Sequence, residues 1–257
     1  MKLHQLLVTS AAVIFPAIAN AAAVDLSSWA GAEGDAGQFN WVIAGDNNSV
    51  LQTVNGNPTV FHNGVNSQGN ALSGTIEVQT TGDDDFIGFV LGYKAGDLKS
   101  ATADYLLIDW KQLNQGSFGC NADVGLSISR VSGTLGNDSG AWCHEVGSNV
   151  TELQRGTTLG STGWQDNTIY NFEIVFTAAL VEVKVNGVKE LSVAGSFADG
   201  SFGFYNYSQS TVRYGALQED VLPDPDPDPN VVPLPASLPM LAAGLGLVGL
   251  VARRRRA

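Results

Sequence analysis

The sequence predicts an all-β protein in which two antiparallel sheets pack face to face as a jelly-roll sandwich. Glycine accounts for 30 of the 257 residues, and about a dozen short β-branched and aromatic runs are separated by glycine and asparagine turns. Helical stretches between these runs are nearly absent, which argues against an alternating α/β fold. Hydrophobic residues make up 44% of the chain and charged residues only 15%, enough apolar material for one sizeable core.

Each predicted strand is a short apolar or alternating run bounded by turn residues. The runs cover residues 39–44, 49–54, 74–80, 86–93, 105–111, 124–131, 172–176, 181–191, 202–207 and 211–217. Phe172, Ile174 and Phe176 recur at every second position, which indicates one buried face. Asn186 and Gly187 divide 181–191 into two strands, and this dipeptide favours a type I′ hairpin turn.

Residues 1–21 have the organisation of a secretory signal peptide. Lys2 precedes an apolar run, and Ala19, Asn20 and Ala21 provide a small-x-small cleavage pattern. The apolar run is too short to span a bilayer easily. We therefore expect export, and we expect the folded domain to occupy residues 22–219.

The chain ends in a linker and a hydrophobic tail. Residues 220–231 contain alternating proline and aspartate, which favours a stiff, solvated spacer. Residues 232–257 join a pentapeptide, an apolar stretch at 238–252 and a basic block, with the motif residues Val232, Pro233, Leu234, Pro235, Ala236, Arg253, Arg254, Arg255 and Arg256. As a helix, the apolar stretch would span about 22 Å, less than the roughly 30 Å of a hydrocarbon core. This length favours a transient membrane anchor with its arginines on the cytoplasmic side.

This order of motif, apolar helix and basic block resembles the VPLPA variant of the PEP-CTERM sorting signals of Gram-negative bacteria. The resemblance covers residues 232–257. It implies that an exosortase-type membrane protease recognises and cuts the tail. It also implies delivery of the folded domain to the envelope surface or the extracellular matrix.

Once the signal peptide and the sorting tail are removed, the domain together with its linker is strongly acidic. Eight lysine and arginine residues remain against 25 aspartate and glutamate residues, which gives a formal charge of −17. Such a surface repels the phosphates of nucleic acids and argues against a nucleic-acid partner. It attracts cations, and it opposes binding to acidic polysaccharides unless divalent ions bridge the two.

Asp83, Asp84 and Asp85 run directly into an apolar strand. Two unit charges about 4 Å apart repel by roughly 4 kcal/mol at an effective dielectric of about 20, so the triplet needs a cation, protonation or solvent. Ca²⁺ is the natural cation because it prefers oxygen ligands, and Asp46 and Asn48 are candidates for further oxygens. On an extended chain Asp84 points away from Asp83 and Asp85, so at most two of the three side chains share one ion. A solvated acidic turn is the alternative.

The cysteines and tryptophans are the remaining candidate residues. Cys120 and Cys143 are expected to form a disulfide in an exported protein. A catalytic Cys143 with His144 as its base is less favoured, since neighbours in sequence seldom supply both groups. Trp142 falls in a predicted loop and is the best candidate for an exposed aromatic that contacts a ligand. The tryptophans within strand-like runs are expected in the core: Trp41, Trp110 and Trp164.

Six segments, in order, resemble the C-terminal, lectin-like domain of thrombospondins. They lie at 40–42 with 50–52, at 82–93, at 110–112, at 125–128, at 163–166 and at 202–209. The resemblance implies a concanavalin-type sandwich, extracellular placement, calcium binding and adhesion without catalysis.

The hypothesis from sequence is therefore an exported, non-enzymatic, calcium-binding adhesion protein of the envelope surface or extracellular matrix. Its partners would be a matrix polysaccharide or a surface protein. A glycan-binding lectin of the same fold is the main alternative. A glycoside hydrolase is more distant, because retaining hydrolases place two acids about 5 Å apart and no Glu-x-Asp-x-x-Glu pattern occurs in the sequence.

Overall fold

The computed structural model describes residues 21–137, 140–144 and 148–222. Residues 1–20 of the expected signal peptide and the expected sorting tail at 232–257 lie outside this part of the chain. The described part contains the short 3-10 helices Leu26–Ser28 and Asp97–Lys99. Its strands are β1 Ala22–Ala23, β2 Gly31–Glu33, β3 Trp41–Ile43, β4 Val50–Gln52, β5 Thr59–His62, β6 Asn70–Val78, β7 Phe86–Tyr93, β8 Asp104–Lys111, β9 Gln115–Ser117, β10 Cys120–Ala122, β11 Gly125–Ser132, β12 Val150–Arg155, β13 Tyr170–Phe176, β14 Leu180–Val185, β15 Val188–Ala194, β16 Ser201–Tyr207 and β17 Val212–Val221.

These strands form two large sheets and one small hairpin. The first large sheet has the order β15-β14-β13-β6-β17-β4-β3, with β1 alongside β17. The second has the order β12-β11-β8-β7-β16-β5-β2, and β9 pairs with β10 separately. All of the pairs are antiparallel. The predicted all-β, two-sheet antiparallel sandwich is confirmed.

Every predicted strand is present, and the run 86–93 coincides with β7. Several strands were not predicted, and β5 and β12 illustrate why. All four residues of β5 are buried, so this strand lacks the alternation that marks a half-exposed strand. Strand β12 lies at the edge of its sheet and consists largely of exposed polar residues. The predicted Asn186-Gly187 turn is present between β14 and β15, with the positive φ angles of 49° and 79° that a type I′ turn requires.

The main apolar core lies between the two sheets. Alternate residues of a strand face opposite sides of its sheet, so the inward set of β7 packs with residues of β13 in the other sheet. Trp110 and Trp164 are 4% and 1% exposed within this core, as predicted. Trp41 is half-buried and packs against it.

A second apolar cluster covers the outer face of the seven-stranded sheet. It is built from the intervening residues of the same strands, such as Phe86 and Val90 of β7 and Tyr205 of β16. The segments that follow β7 and β11 cover them with Leu98, Leu135, Ala141 and Trp142. Loop residues therefore replace solvent over much of this face.

A buried tyrosine links the two sheets through the main core. The phenol oxygen of Tyr214, on β17, accepts a hydrogen bond from the backbone N–H of Gly88 at 3.2 Å. The same oxygen lies 3.1 Å from the carbonyl oxygen of Gly88 and 2.8 Å from that of Tyr205. Gly88 and Tyr205 belong to the opposite sheet, so this hydroxyl joins both layers.

No helix in the described ranges is long and apolar enough to cross a membrane. The expected transient membrane helix at 238–252 lies outside those ranges.

Candidate functional site

The acidic triplet lies immediately before β7, at one end of the sandwich. The β7–β8 register pairs Phe86, the first residue of β7, with Lys111, the last residue of β8. This pairing brings Lys111 to the triplet although 26 residues separate it from Asp85. One carboxylate oxygen from each of Asp83, Asp84 and Asp85 lies within 4.8 Å of the others. The structure therefore assembles a compact acidic cluster with a cation at its inner side.

The ammonium of Lys111 supplies the positive charge that the triplet needs. Its nitrogen lies 2.6 Å from Asp85 Oδ1 and 3.7 Å from Asp84 Oδ1. It also donates to the carbonyl oxygen of Asp84 at 3.2 Å and to Gln115 Oε1 at 3.0 Å. The side chain of Lys111 is fully buried, so these contacts replace its hydration.

Aromatic rings surround the same ammonium. Its nitrogen lies 5.0 Å from the centre of the Phe86 ring and 4.8 Å from the centre of the Trp142 ring. Such cation–π contacts favour a positive charge in a desolvated position. Burial raises the pKa of the Asp85 carboxyl, and the hydrogen bond from Lys111 opposes this rise. Lys111 is a site residue that reasoning from sequence missed; the signal was its position, two residues after Asp109, at the end of an otherwise apolar strand.

The outer half of the triplet fits a calcium ion better than the inner half. Asp85 is 3% exposed and is engaged by Lys111, whereas the Asp84 side chain is 26% exposed. Asp83 is half-buried, accepts a hydrogen bond from the backbone N–H of Asp84 and contacts the amide of Asn55. Asp83 and Asp84 are thus the carboxylates that remain for a metal, and Ca²⁺ would need several further oxygens from solvent or other groups.

The structure does not bring Asp46 or Asn48 to the triplet. Both precede β4, whereas Asn55, which contacts Asp83, follows β4. Asp46 accepts a hydrogen bond from the backbone N–H of Asn48 at 3.0 Å. The Asn48 amide bonds the carbonyl oxygens of Val24 and Leu217 at 2.8 Å each. Asn48 thus links the segment after β1 to β17, and Asp46 bonds the backbone of Asn48. Their expected place among the calcium ligands is corrected, because neither joins the acidic cluster.

Cys120 and Cys143 form a disulfide, which holds Trp142 over the outer face of the seven-stranded sheet. The expectation that Trp142 is exposed is wrong: it is 5% exposed. Its ring packs against Lys111, Phe86, Phe118 and Tyr207. The loop was predicted correctly, but it packs against the apolar outer face of the sheet and buries Trp142 there. Because both sulfurs are in the disulfide, Cys143 has no thiol to act as a nucleophile.

A cleft of about 280 Å³ opens beside this loop. Its floor includes Asp109 of β8 and Ser127 of β11, which face each other in the strand register. Ser127 Oγ donates to Asp109 Oδ1 at 2.8 Å, and His144 Nε2 lies 2.9 Å from Asp109 Oδ2. Asp109 thus joins the sheet to the disulfide loop, a role that the sequence did not suggest.

Electrostatic effects on His144 favour its charged form. Burial lowers the pKa of the imidazole, but the charge of Asp109 and its contact with the ring outweigh burial, so the pKa is raised. Glu152 raises it further and Arg155 lowers it. The result is a buried ion pair beneath the cleft, in which the carboxylate contacts both Ser127 and His144.

The chain is similar to thrombospondins and to cartilage oligomeric matrix protein. Thrombospondin-2 of Gallus gallus is 28% identical over 203 residues, which cover 70% of this chain and 16% of that protein. Cartilage oligomeric matrix protein of Rattus norvegicus is 24% identical over 218 residues, which cover 75% of this chain and 27% of that protein. The chain therefore spans less than a third of the length of these relatives.

Solved structures also match the chain. The carbohydrate-binding module CBM66 of Bacillus subtilis has a TM-score of 0.49 and 8% identity, with 71% of this chain and 91% of that chain covered. Galectin-Ib of Xenopus laevis has a TM-score of 0.38 and 14% identity, with 62% of this chain and 97% of that chain covered.

Two family models match the chain. The PEP-CTERM protein-sorting motif matches residues 231–256. The thrombospondin C-terminal region matches residues 36–221, which include β3 to β17. Both resemblances noted in the sequence are confirmed. Since the second model covers well over half of the chain, this protein belongs to the thrombospondin C-terminal region family.

Proposed function

We propose that this protein is a non-catalytic adhesion protein of the bacterial envelope surface or extracellular matrix. The observation that carries the proposal is the presence, in one chain, of a thrombospondin C-terminal region and a PEP-CTERM protein-sorting motif. The first resembles a part of animal matrix proteins, and the second is a sorting signal. The partner is a matrix polysaccharide or a protein of the cell surface.

Calcium is the cofactor of this proposal. Asp83 and Asp84 hold the ion at the outer side of the triplet, while Lys111 neutralises Asp85 at the inner side. Two carboxylates supply part of the coordination shell, and other oxygens supply the rest. The dissociation constant for calcium should then lie in the roughly 10⁻⁴–10⁻³ M range of extracellular calcium modules. On a domain and linker with a combined formal charge of −17, a bound divalent ion also bridges to acidic groups of a partner.

The environments of the buried carboxylates support a role without catalysis. Asp85 is held by Lys111, and Asp109 by Ser127 and His144. Glu190 accepts hydrogen bonds from the backbone N–H groups of Thr158 and Leu159 at 2.8 and 3.0 Å. Asp109 and Glu190 lie on different strands, Asp85 precedes β7, and each of the three has a structural partner.

The sorting motif supports a processing route. A signal peptide at 1–21 directs export, and the tail at 232–257 anchors the chain transiently in the inner membrane. An exosortase-type protease then cuts the tail, and the linker that follows β17 separates the folded domain from the cleavage site. The domain thus ends later than the expected boundary at 219, because residues 220 and 221 pair with β6. The mature domain reaches the cell surface or matrix.

Binding of the purified full chain to extracellular matrix prepared from the producing bacterium tests the adhesive role. The measurement is the amount of chain retained with millimolar CaCl₂, with chelator, and with chelator followed by excess calcium. We expect retention in calcium, loss in chelator and recovery when calcium returns. Equal retention in all three conditions would contradict a role for calcium in adhesion. No retention in any of them would contradict adhesion to the matrix.

A further inference from the structure

The cleft beside the disulfide loop has the lining of a binding site for a small polar molecule. Trp142 and Phe86 supply aromatic surface at its floor, next to the Asp109–His144 ion pair. The rim is formed by polar side chains that reach solvent: Asn121, Asp123, Glu152 and Arg155. Ligand sites typically combine apolar walls with a few convergent polar groups, and this cleft has both.

The indole of Trp142 provides a second, independent observation. Trp142 is 5% exposed, lines the cleft, and its N–H has no hydrogen-bond partner among the described residues. A buried donor without an acceptor carries a desolvation cost, which an acceptor on a bound molecule would relieve. The neighbouring Asp109 Oδ2 and His144 Nε2 face each other but make no further hydrogen bonds.

The charges of the lining restrict the ligand. Asp109, Asp123 and Glu152 are acidic, and two basic groups, His144 and Arg155, oppose them. Arg155 is already committed, because its guanidinium pairs with Glu152 at 3.1 Å and donates to the carbonyl oxygens of Val124 and Gly160. Among the described residues of the lining, no free cation is left for an anionic ligand, and the surrounding domain is strongly acidic. An uncharged or cationic molecule fits this field, and an anionic one does not.

The volume of the cleft further restricts the size of the ligand. About 280 Å³ lies just below the roughly 300–1,000 Å³ typical of ligand pockets. A single polyhydroxyl ring fills such a space, whereas several linked rings do not. Hydroxyl groups both donate and accept, so they suit a lining that offers an indole N–H, an amide and carboxylates at once. A sugar ring also presents apolar C–H groups to an aromatic surface.

We propose that this cleft binds one non-acidic sugar residue, neutral or amino, of a matrix polysaccharide. Trp142 provides the aromatic wall and an N–H donor, and Asp109 with His144 forms the floor. At the rim, the Asn121 amide donates and accepts, and the Glu152 carboxylate accepts. The proposal rests on the adhesive role proposed above and names the chemical class of its ligand.

Titration of the full chain with methyl glucoside, glucosamine and glucuronic acid tests the ligand class. Calorimetry gives the affinities, and NMR of the chain labelled with ¹⁵N-tryptophan follows the indole N–H of Trp142, assigned by its loss in Trp142→Phe. We expect methyl glucoside or glucosamine to bind and to shift this resonance, and glucuronic acid to bind at least tenfold more weakly. Equal binding of glucuronic acid, or no binding of any of the three sugars, would overturn the proposal.

Three variants test the location. Asn121→Ala, Glu152→Ala and Trp142→Phe should each weaken sugar binding by about two- to tenfold, the effect of one lost hydrogen bond. The matched control is Glu173→Ala, which removes an ion-paired glutamate from the other sheet and should leave the affinity unchanged. Circular dichroism and thermal melting exclude unfolding as the cause of a loss.

The test separates this proposal from the adhesive role. If all three variants bind sugar with wild-type affinity, the sugar binds elsewhere, and the proposal that this cleft is the binding site is overturned. If the chain is retained on whole matrix but binds none of the test sugars, sugar binding in the cleft is overturned and the adhesive role is still supported. If the chain binds sugar but is not retained on matrix, sugar binding in the cleft is supported and the matrix is excluded as the source of that sugar.

Discussion

The ammonium of Lys111 lies 2.6 Å from the carboxylate of Asp85, and their side chains are 0% and 3% exposed. The pair joins the end of β8 to the segment that enters β7, and its single positive charge balances one of the three carboxylates of the triplet. A cation supplied by the chain thus stands where reasoning from sequence placed a metal ion.

Removing one partner of this pair should be strongly destabilising. Lys111→Met leaves the Asp85 carboxylate buried without a cation, and such changes typically cost about 3–5 kcal/mol of unfolding free energy. Lys184→Met is the matched control, because Lys184 and Glu173 also lie 2.6 Å apart but are 37% and 44% exposed; its cost should be about 0–1 kcal/mol. Urea unfolding measures both. The double variant Lys111→Met, Asp85→Asn should recover part of the loss, and equal stability of the two single variants would contradict this account.

Calcium affinity should depend on Asp83 and Asp84 but not on the loop before β4. We expect isothermal titration with CaCl₂ to give a dissociation constant of about 10⁻⁴–10⁻³ M for the wild-type chain. Asp83→Asn with Asp84→Asn should weaken binding at least tenfold, since both available carboxylates become neutral. Asp46→Asn is the control, because Asp46 lies beyond the other end of β4. Loss of calcium binding in Asp46→Asn would show that Asp46 is a calcium ligand after all and would contradict the site at Asp83 and Asp84.

Loss of the disulfide should destabilise the domain by about 3 kcal/mol. Cys120 and Cys143 are 23 residues apart in sequence, and a closed loop of that length lowers the entropy of the unfolded chain by about this amount. Unfolding with and without reductant measures the effect in the wild type. The variant Cys120→Ser with Cys143→Ser should match the reduced wild type and be insensitive to reductant. Sensitivity of that variant to reductant would be inconsistent with the prediction.

The ion pair under the cleft should make stability depend on pH. Asp109 outweighs the effect of burial and raises the pKa of His144. A histidine whose pKa is higher in the folded state stabilises that state fully below its unfolded value of about 6.5, and the contribution is lost as the pH rises through the folded pKa. The difference in unfolding free energy between wild type and His144→Gln should therefore shrink as the pH rises above about 6.5. Asp109→Asn should lower the imidazole pKa followed by NMR, and an unchanged pKa would disprove the coupling.

The turn between β14 and β15 allows a test of backbone conformation alone. Gly187 has a φ of +79°, and a Cβ added there would meet no atom within 4 Å. Gly187→Ala should therefore cost about 1 kcal/mol, entirely from the left-handed backbone. Gly45→Ala is the control, because the space around Gly45 is equally open and its φ is not in the left-handed region. Thermal melting compares the two, and equal melting temperatures would refute the argument.

Features encoded within a few neighbouring residues were predictable, and features that depend on register were not. The Asn186-Gly187 turn and the strand at 86–93 were correct because their signals are local. The contact of Lys111 with Asp85 requires the alignment of β7 with β8, which short sequence patterns do not specify.

The same limit explains the errors at the candidate site. Trp142 was correctly placed in a loop, but its burial depends on the apolar outer face of a sheet whose residues come from distant parts of the chain. Asp46 and Asn48 were chosen by residue type alone, and the direction of β4 puts them at the wrong end. Chemical type suggested which residues bind a cation, while topology decided which of them meet.

The hydroxyl of Tyr214 has a consequence for how related sequences change. It bonds the backbone of Gly88, a position where an added Cβ would lie 1.9 Å from the carbonyl oxygen of Ile108 on β8. A phenylalanine at 214 would leave the Gly88 and Tyr205 backbone groups without this partner, and any larger residue at 88 would force β7 and β8 apart. Related sequences should therefore retain glycine at 88, because of its closeness to β8, and tyrosine at 214, because of the backbone groups that it bonds, although 126 residues separate the two positions.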